Sequence, residues 1–216
     1  MKRMIKNLFF NFGFIFSLSL SAQQQTLPQD TIFYFIKEFP NEEYESGLIT
    51  NVVAIIEVIT SSQDTSFLEI PAGFRYVTLE ELHNMGILSP SESQDTTSLG
   101  ELDFYVEDRR QYQGDKWAVS WIRGTYVSQT PLKCIYCGSE TYREWWPGRL
   151  WLRGYTYRNG WLVYDSGPIR KWGWSIKCVY RATYPQSTVF HWCQEGFHRW
   201  NGPYNPPLRT LVGAEW

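Results

Sequence analysis

Chemistry in this chain has to come from four cysteines, three histidines, a scatter of carboxylates, or a concentration of tryptophan and arginine. Cys134 and Cys137 form a Cys-x-x-Cys pair that could grip zinc, run redox chemistry or enter disulfides with Cys178 and Cys193. A four-thiolate zinc site asks for a second knuckle, but fourteen residues separate Cys178 from Cys193. A redox pair asks for a helix start whose dipole lowers a thiol pKa, and the residues around Cys134-Ile135-Tyr136-Cys137 read as strand and turn. In a chain that begins like an exported protein, two disulfides are the expected outcome, with three pairings open. His83, His191 and His198 show no metal-binding spacing, and the last two flank Trp192, Cys193 and Phe197, so they read as imidazoles packed among rings or exposed on a loop. The chain has no Gly-x-Ser-x-Gly turn for a serine nucleophile and no glycine-rich phosphate loop. Glu140, Glu144, Asp165 and Glu195 could supply a carboxylate pair for glycoside hydrolysis, yet such acids are more often solvated surface groups. No catalytic residue, no metal ligand and no cofactor is assigned.

What remains is Trp145, Trp146, Trp151, Trp161, Trp172 and Trp174, interleaved with Arg143, Arg149, Arg153, Arg158 and Arg170. Exposed rings stack on the apolar faces of sugars while arginine donates to hydroxyls, and the same set can anchor a protein partner. Against this stands the simpler use of rings as the core of a sheet domain, with arginine stacked over them at the rim. Trp146 precedes Pro147-Gly148, and Trp172 lies in Lys171-Trp172-Gly173, both turn-like settings that leave a ring in water. Trp145, Trp146, Arg149, Arg153 and Trp172 are therefore the candidate ligand-binding residues.

The composition says what must position them. Hydrophobic residues make up 43% and charged residues 19% of the 216, enough apolar material for a core, and an 18% share of aromatics favours pleated sheet over helical bundles. Net charge is −2, so nothing draws the whole molecule to nucleic acid. Residues 1–22 run from Lys2, Arg3 and Lys6 into an apolar stretch and then to Ser19-Leu20-Ser21-Ala22, the pattern of a cleavable secretory signal. Asn11 interrupts that stretch, which is shorter than a membrane-spanning helix needs. Removing it takes away three cations and no acid, moving the net charge from −2 to −5. Residues 23–100 carry two cations against twelve acids, whereas 101–216 carry fifteen against ten and hold every Trp. Such a shift marks either two domains or one domain whose acidic half packs on its basic half, and with fewer than 200 residues after the signal one domain with an irregular N-terminal portion is expected.

Ile32-Phe33-Tyr34-Phe35-Ile36 and the β-branched run 52–59 read as buried strands. Thr78 followed by Glu81 is a capping box, Gly86 can close the helix, and Leu79, Leu82 and Met85 would face the core. The polar stretch 89–100 reads as a surface loop. Short strands are predicted over 104–107, 116–123, 132–137, 150–157, 161–165 and 174–181. Asn159-Gly160 supplies the two positive-φ residues of a type I′ hairpin turn. On its first arm Trp151, Arg153, Tyr155 and Tyr157 share one face. The tail 184–216, rich in Pro and containing Asn205-Pro206-Pro207, reads as a loop wrapped over the sheet.

Gly73-Phe74-Arg75-Tyr76-Val77-Thr78-Leu79-Glu80-Glu81-Leu82, together with the run from Trp151 through Asn159-Gly160 to Trp174-Ser175-Ile176-Lys177-Cys178-Val179-Tyr180-Arg181, resembles a family of secreted bacterial modules. These are the modules named after the Fibrobacter succinogenes major paralogous domain, and their relatives with a fold like a C-type lectin. The resemblance implies an α+β fold, mostly antiparallel sheet with one or two short helices, in which Arg75 and the Thr78 cap seat the helix beside the terminal strand. The resemblance places the lectin-like domain at residues 71–183; the residues themselves add a strand-rich portion 23–70 packed on it and 184–216 as the wrap. Calcium lectins of that fold use a Glu-Pro-Asn type triplet that is missing here, with only Trp200-Asn201-Gly202 similar to their Trp-Asn-Asp run, so no calcium site is expected. The fold hosts several functions and does not choose among them.

The expectation is a non-catalytic module, exported to the periplasm, the cell surface or beyond, that recognises a glycan through exposed Trp and Arg on loops. The alternative is a cell-surface interaction domain that docks on a protein through the same aromatic patch. Neither involves nucleic acid, nor membrane insertion once the signal is removed. The capping box carries the first prediction: Thr78→Ala is expected to destabilise the fold by about 1 kcal/mol in urea denaturation, because an amide donor loses its side-chain acceptor.

Overall fold

The computed structural model describes residues 31–44, 47–60, 68–87, 104–200 and 206–216. The expected signal over 1–22 and the loop over 89–100 lie outside the described residues. The chain forms β1 (Thr31–Glu38), β2 (Glu42–Tyr44), β3 (Gly47–Thr60), β4 (Arg75–Val77), α1 (Leu79–Asn84), β5 (Phe104–Tyr112), β6 (Lys116–Tyr126) and β7 (Leu132–Arg143). It continues with β8 (Gly148–Arg158), β9 (Trp161–Asp165), β10 (Ile169–Gly173), β11 (Ser175–Pro185), β12 (His191–Trp200) and β13 (Leu208–Glu215). The larger sheet runs β4-β1-β3-β11-β7-β6-β5, with β2 also on β3. The smaller runs β10-β8-β12-β13, and β9 pairs the same strand β8 further along. Every strand pairing is antiparallel, and the smaller sheet packs on the middle of the larger one.

This corrects the α+β, C-type-lectin-like expectation: the described residues form two antiparallel sheets and one helix of six residues. Strands β1 and β3 are not an appended portion; β3 lies inside the larger sheet between β1 and β11. The presumed wrap supplies β12, between β8 and β13. Its strand signal was hidden because the inward residues Gln194, Gly196 and His198 are polar or small, which erases the usual alternation. Arg75 lies on β4 beside β1, not the terminal strand, and its guanidinium reaches Glu38 Oε1 at 3.3 Å.

The acidic and basic halves interlock. Lys177 Nζ of β11 lies 3.2 Å from Glu57 Oε1 of β3 and 3.8 Å from Glu140 Oε1 of β7. Burial opposes the charge on Lys177, but Glu140 and Glu57 outweigh it and hold its pKa above the ordinary range. Arg158–Glu42 at 2.7 Å and Arg170–Glu69 at 3.0 Å join the same two halves.

The capping box forms as read, with Glu81 N donating to Thr78 Oγ1 at 3.1 Å and Thr78 N to Glu81 Oε2 at 2.7 Å. Gly86 takes φ +66°, and Ile87 N donates back to Leu82 O. Of the three residues expected to face the core, only Leu82 is buried, because a helix this short turns one position onto the sheet. Leu79 and Met85 are exposed. Asn159 and Gly160 adopt φ 50° and 82°, as the hairpin turn demands.

The expected disulfides are not formed: all four cysteines are free thiols. Three residues along a strand reverse the face, so Cys134 joins the core beneath α1 while Cys137 points between the sheets. Cys178 also lies between the sheets, and Cys193 lies on the outward face of β12.

Between the sheets two apolar clusters flank a polar belt. One contains Ile122, Ile135, Tyr180, Tyr184, Phe190 and Trp192; the other contains Ile56, Val58, Leu150, Leu152, Ile176 and Trp200. Between them a hydrogen-bonded chain links Thr156, Gln194, Ser139, Ser120, Thr210, His198 and Thr141, each step 2.6–2.8 Å. Close approach is possible because Gly154 and Gly196 face each other across β8 and β12. A Cβ on Gly154 would lie 2.5 Å from Cys178 Sγ, and one on Gly196 would lie 2.7 Å from Ser120 Oγ. Gly196→Ala is therefore expected to destabilise the protein by about 2–3 kcal/mol in urea denaturation, by overpacking and by breaking the polar chain. Gly213→Ala is the control, since its Cβ would meet nothing nearer than 3.5 Å.

Candidate functional site

Strand β8 alternates without interruption. Leu150, Leu152, Gly154, Thr156 and Arg158 point inward and are buried, which sends Arg149, Trp151, Arg153, Tyr155 and Tyr157 to the other face. That outward face extends across the smaller sheet, and the registers give its rows. Arg149 lies opposite Trp172, and Trp151 lies between Arg170 and Arg199. Arg153 is followed across β12 and β13 by Phe197 and Arg209. Tyr155 lies between Asp165 and Glu195, and Tyr157 between Leu162 and Cys193. Rows on β8 recur every ~6.8 Å, two residues of strand rise. Beyond the ends stand exposed indoles, Trp145 and Trp146 in the β7–β8 turn and Trp161 after the β8–β9 turn.

The corner between the sheets fixes this face laterally. After β10 the chain crosses to the larger sheet, where Trp174 N donates to Ile59 O at 2.9 Å. Gly173 permits the crossing, because a Cβ there would lie 2.5 Å from Ile59 O. Arg170 exchanges backbone hydrogen bonds with Glu69, which pins β10 from its open side.

Rings and guanidinia are stacked on each other. Arg199 lies 5.0 Å from the Trp151 ring and Arg153 5.0 Å from that of Tyr155. Tyr155 meets Phe197 edge to face at 5.8 Å. Arg153 also forks onto Asp165, Nε to Oδ1 at 3.0 Å and Nη2 to Oδ2 at 2.6 Å. Partial burial would raise the Asp165 pKa, but Arg153 and the Gly167 amide outweigh it and hold the carboxyl below its usual range. Glu195 is buried under Arg209 and also accepts a hydrogen bond from Tyr157 Oη at 3.2 Å. Burial and the Glu195 charge push the Tyr157 pKa up, so this phenol stays protonated.

The structure brings three of the five sequence-derived candidates, Arg149, Arg153 and Trp172, onto one sheet face and not onto loops. Trp145 and Trp146 lie on the adjoining turn, with Trp145 near Gly114 of the β5–β6 turn. Sequence reasoning left out Phe197, Arg199 and Arg209, since their strands lie in the stretch that reads as loop. Tyr155 and Tyr157 were visible in the alternation of β8, but their neighbours were not.

Three of the four candidate carboxylates are tied into structure, and the fourth, Glu144, is exposed. Glu140 accepts from Ser175 Oγ at 2.6 Å and faces Lys177, and Asp165 and Glu195 are both ion-paired to arginine. Among the described residues no three of His, Cys, Asp and Glu come together as a metal site, and no helix is long and apolar enough to cross a membrane. No family model matches the chain, and no curated protein matches it.

His198 is held on both ring nitrogens, Nδ1 to Thr141 Oγ1 and Nε2 to Thr210 Oγ1, each at 2.8 Å. Burial pushes its pKa down to about 3. An unfolded histidine titrates near 6.5, so below that pH the unfolded chain takes up a proton that the native state refuses. Stability is expected to fall as pH drops from about 6.5 toward 3, by up to about 1.4 kcal/mol per pH unit from this residue. Urea denaturation at stepped pH checks this, and His198→Gln is expected to flatten the slope.

Proposed function

We propose that this chain is a non-catalytic binding module that holds an extended glycan across the outward face of its smaller sheet. One observation carries the proposal: aromatic rings and arginines occupy successive rows of a single solvent-facing surface. Sugars present apolar faces to rings and hydroxyls to donors, and guanidinium groups bring five N–H donors each. From Arg149 to Tyr157 the face extends ~27 Å along β8, which suits a chain of sugars better than one ring. Trp172, 50% exposed, is the ring on this face most open to stacking. The stacked Arg–aromatic pairs keep the face ordered before ligand arrives, which lowers the entropy lost on binding. Export directed by residues 1–22 would place it where polysaccharides occur, in the periplasm, on the cell surface or outside.

Saturable quenching of Trp fluorescence by members of a glycan panel tests the proposal. Trp172→Ala is expected to weaken binding about tenfold with an unchanged melting temperature, the loss of one stacked ring. If no glycan quenches, and pull-down instead recovers one stoichiometric protein partner, the face is a protein-docking surface and the proposal fails.

A further inference from the structure

We infer that the glycan is a polyuronate, its carboxylates bound by the arginine-rich end of this face. The inference rests on the glycan-binding reading above. The three rows nearest β10 carry Arg149, Arg153, Arg170, Arg199 and Arg209, and among the described residues no carboxylate occupies a position in those rows. Asp165 and Glu195 both lie one row further on, and Glu69 meets Arg170 from the flank. Arg153, Arg170 and Arg209 are ion-paired with Asp165, Glu69 and Glu195, so five arginines against three carboxylates still leave this end of the face net positive in a chain whose net charge is −2. Such a surplus of one sign, set against the overall charge, selects a ligand of the opposite sign.

The type of cation narrows the class. Among the described residues the outward positions of these rows hold arginine and no lysine; Lys171, the lysine of β10, is buried. A guanidinium offers a planar fork that matches a carboxylate, whereas an ammonium is a point charge. The face already shows that geometry once, in the two parallel hydrogen bonds from Arg153 to Asp165 at 3.0 and 2.6 Å. Arg149 is exposed, with the open Trp172 ring opposite it in register. Together they form a place for a sugar ring stacked on indole with its carboxylate on guanidinium. The arginines at Trp151 and Tyr155 repeat the pairing of ring with cation along the strand.

The test compares polymannuronate, polygalacturonate and polyglucuronate oligomers with their methyl esters, which keep the sugar backbone and remove the charge. At least one acid form is expected to bind ten times tighter or more than its ester, and to weaken between 50 and 200 mM salt. Arg149→Ala is expected to remove about tenfold from the acid form and distinctly less from the ester, so that the acid-to-ester preference falls, with the melting temperature preserved. Equal binding of acid and ester overturns the inference and leaves the glycan reading standing. Equal binding of polyglutamate overturns it too, since sugar rings would then be irrelevant, and tighter binding of a sulfated polysaccharide overturns the carboxylate assignment. Binding by no glycan at all, neutral or acidic, fails the glycan reading itself and the inference with it.

Discussion

Hydrogen bonds hold the middle of this sandwich, where apolar contact alone would be expected. Thr156, Gln194, Ser139, Ser120, Thr210, His198 and Thr141 form one continuous chain from strand to strand across the gap between the sheets. In a dry interior each such group needs its partner, and removing one strands its neighbour at a penalty of ~1–3 kcal/mol. The chain therefore acts as a register device. Slipping β8, β12 or β13 by one residue would turn these groups to solvent and bring arginines and tyrosines between the sheets. The facing glycines Gly154 and Gly196 make the arrangement possible by letting the backbones come close.

The outward face follows from that constraint. Because the inward parity of β8 and β12 is fixed by the polar belt and its apolar flanks, the outward parity is fixed as well, and with it the rows of Trp, Tyr and Arg. The crossing at Gly173 then ties β10 to the larger sheet, so Arg170 and Trp172 cannot drift from Trp151 and Arg149. Ion pairs on the face orient Arg153 and Arg209. An ordered surface results, built on paired strands.

The larger sheet has its own internal fastening on the opposite face. Lys177 sits between Glu57 and Glu140 on three neighbouring strands, and Gly138 makes room for the ring of Trp121 from the adjacent strand β6. Removing either partner of a buried ion pair leaves an uncompensated charge at a penalty of several kcal/mol, so the pairing of β3 with β11 is held by charge as well as backbone. This joins chain segments more than a hundred residues apart. The acidic first half and the basic second half are complementary parts of one fold.

Local chemistry determined a good deal by itself. Thr78 and Glu81 dictate a capped helix start, Asn159-Gly160 dictates a hairpin turn, and the β-branched run of β3 dictates a buried strand, because each depends on residues within a few positions of one another. The alternation of Trp151, Arg153, Tyr155 and Tyr157 likewise fixes one face of β8 before any partner is known. Tertiary structure alone decided what β8 pairs with, since β12 and β13 come from a tail whose prolines and inward polar residues conceal its strand character. It also decided the thiols: Cys134 and Cys137 look paired by spacing, yet strand parity sends them to opposite faces. Arg199 and Arg209 joined Arg149 and Arg153 on one surface for the same reason. Contacts of long range are set by which buried groups must satisfy each other across the sheets, and no local spacing encodes that requirement.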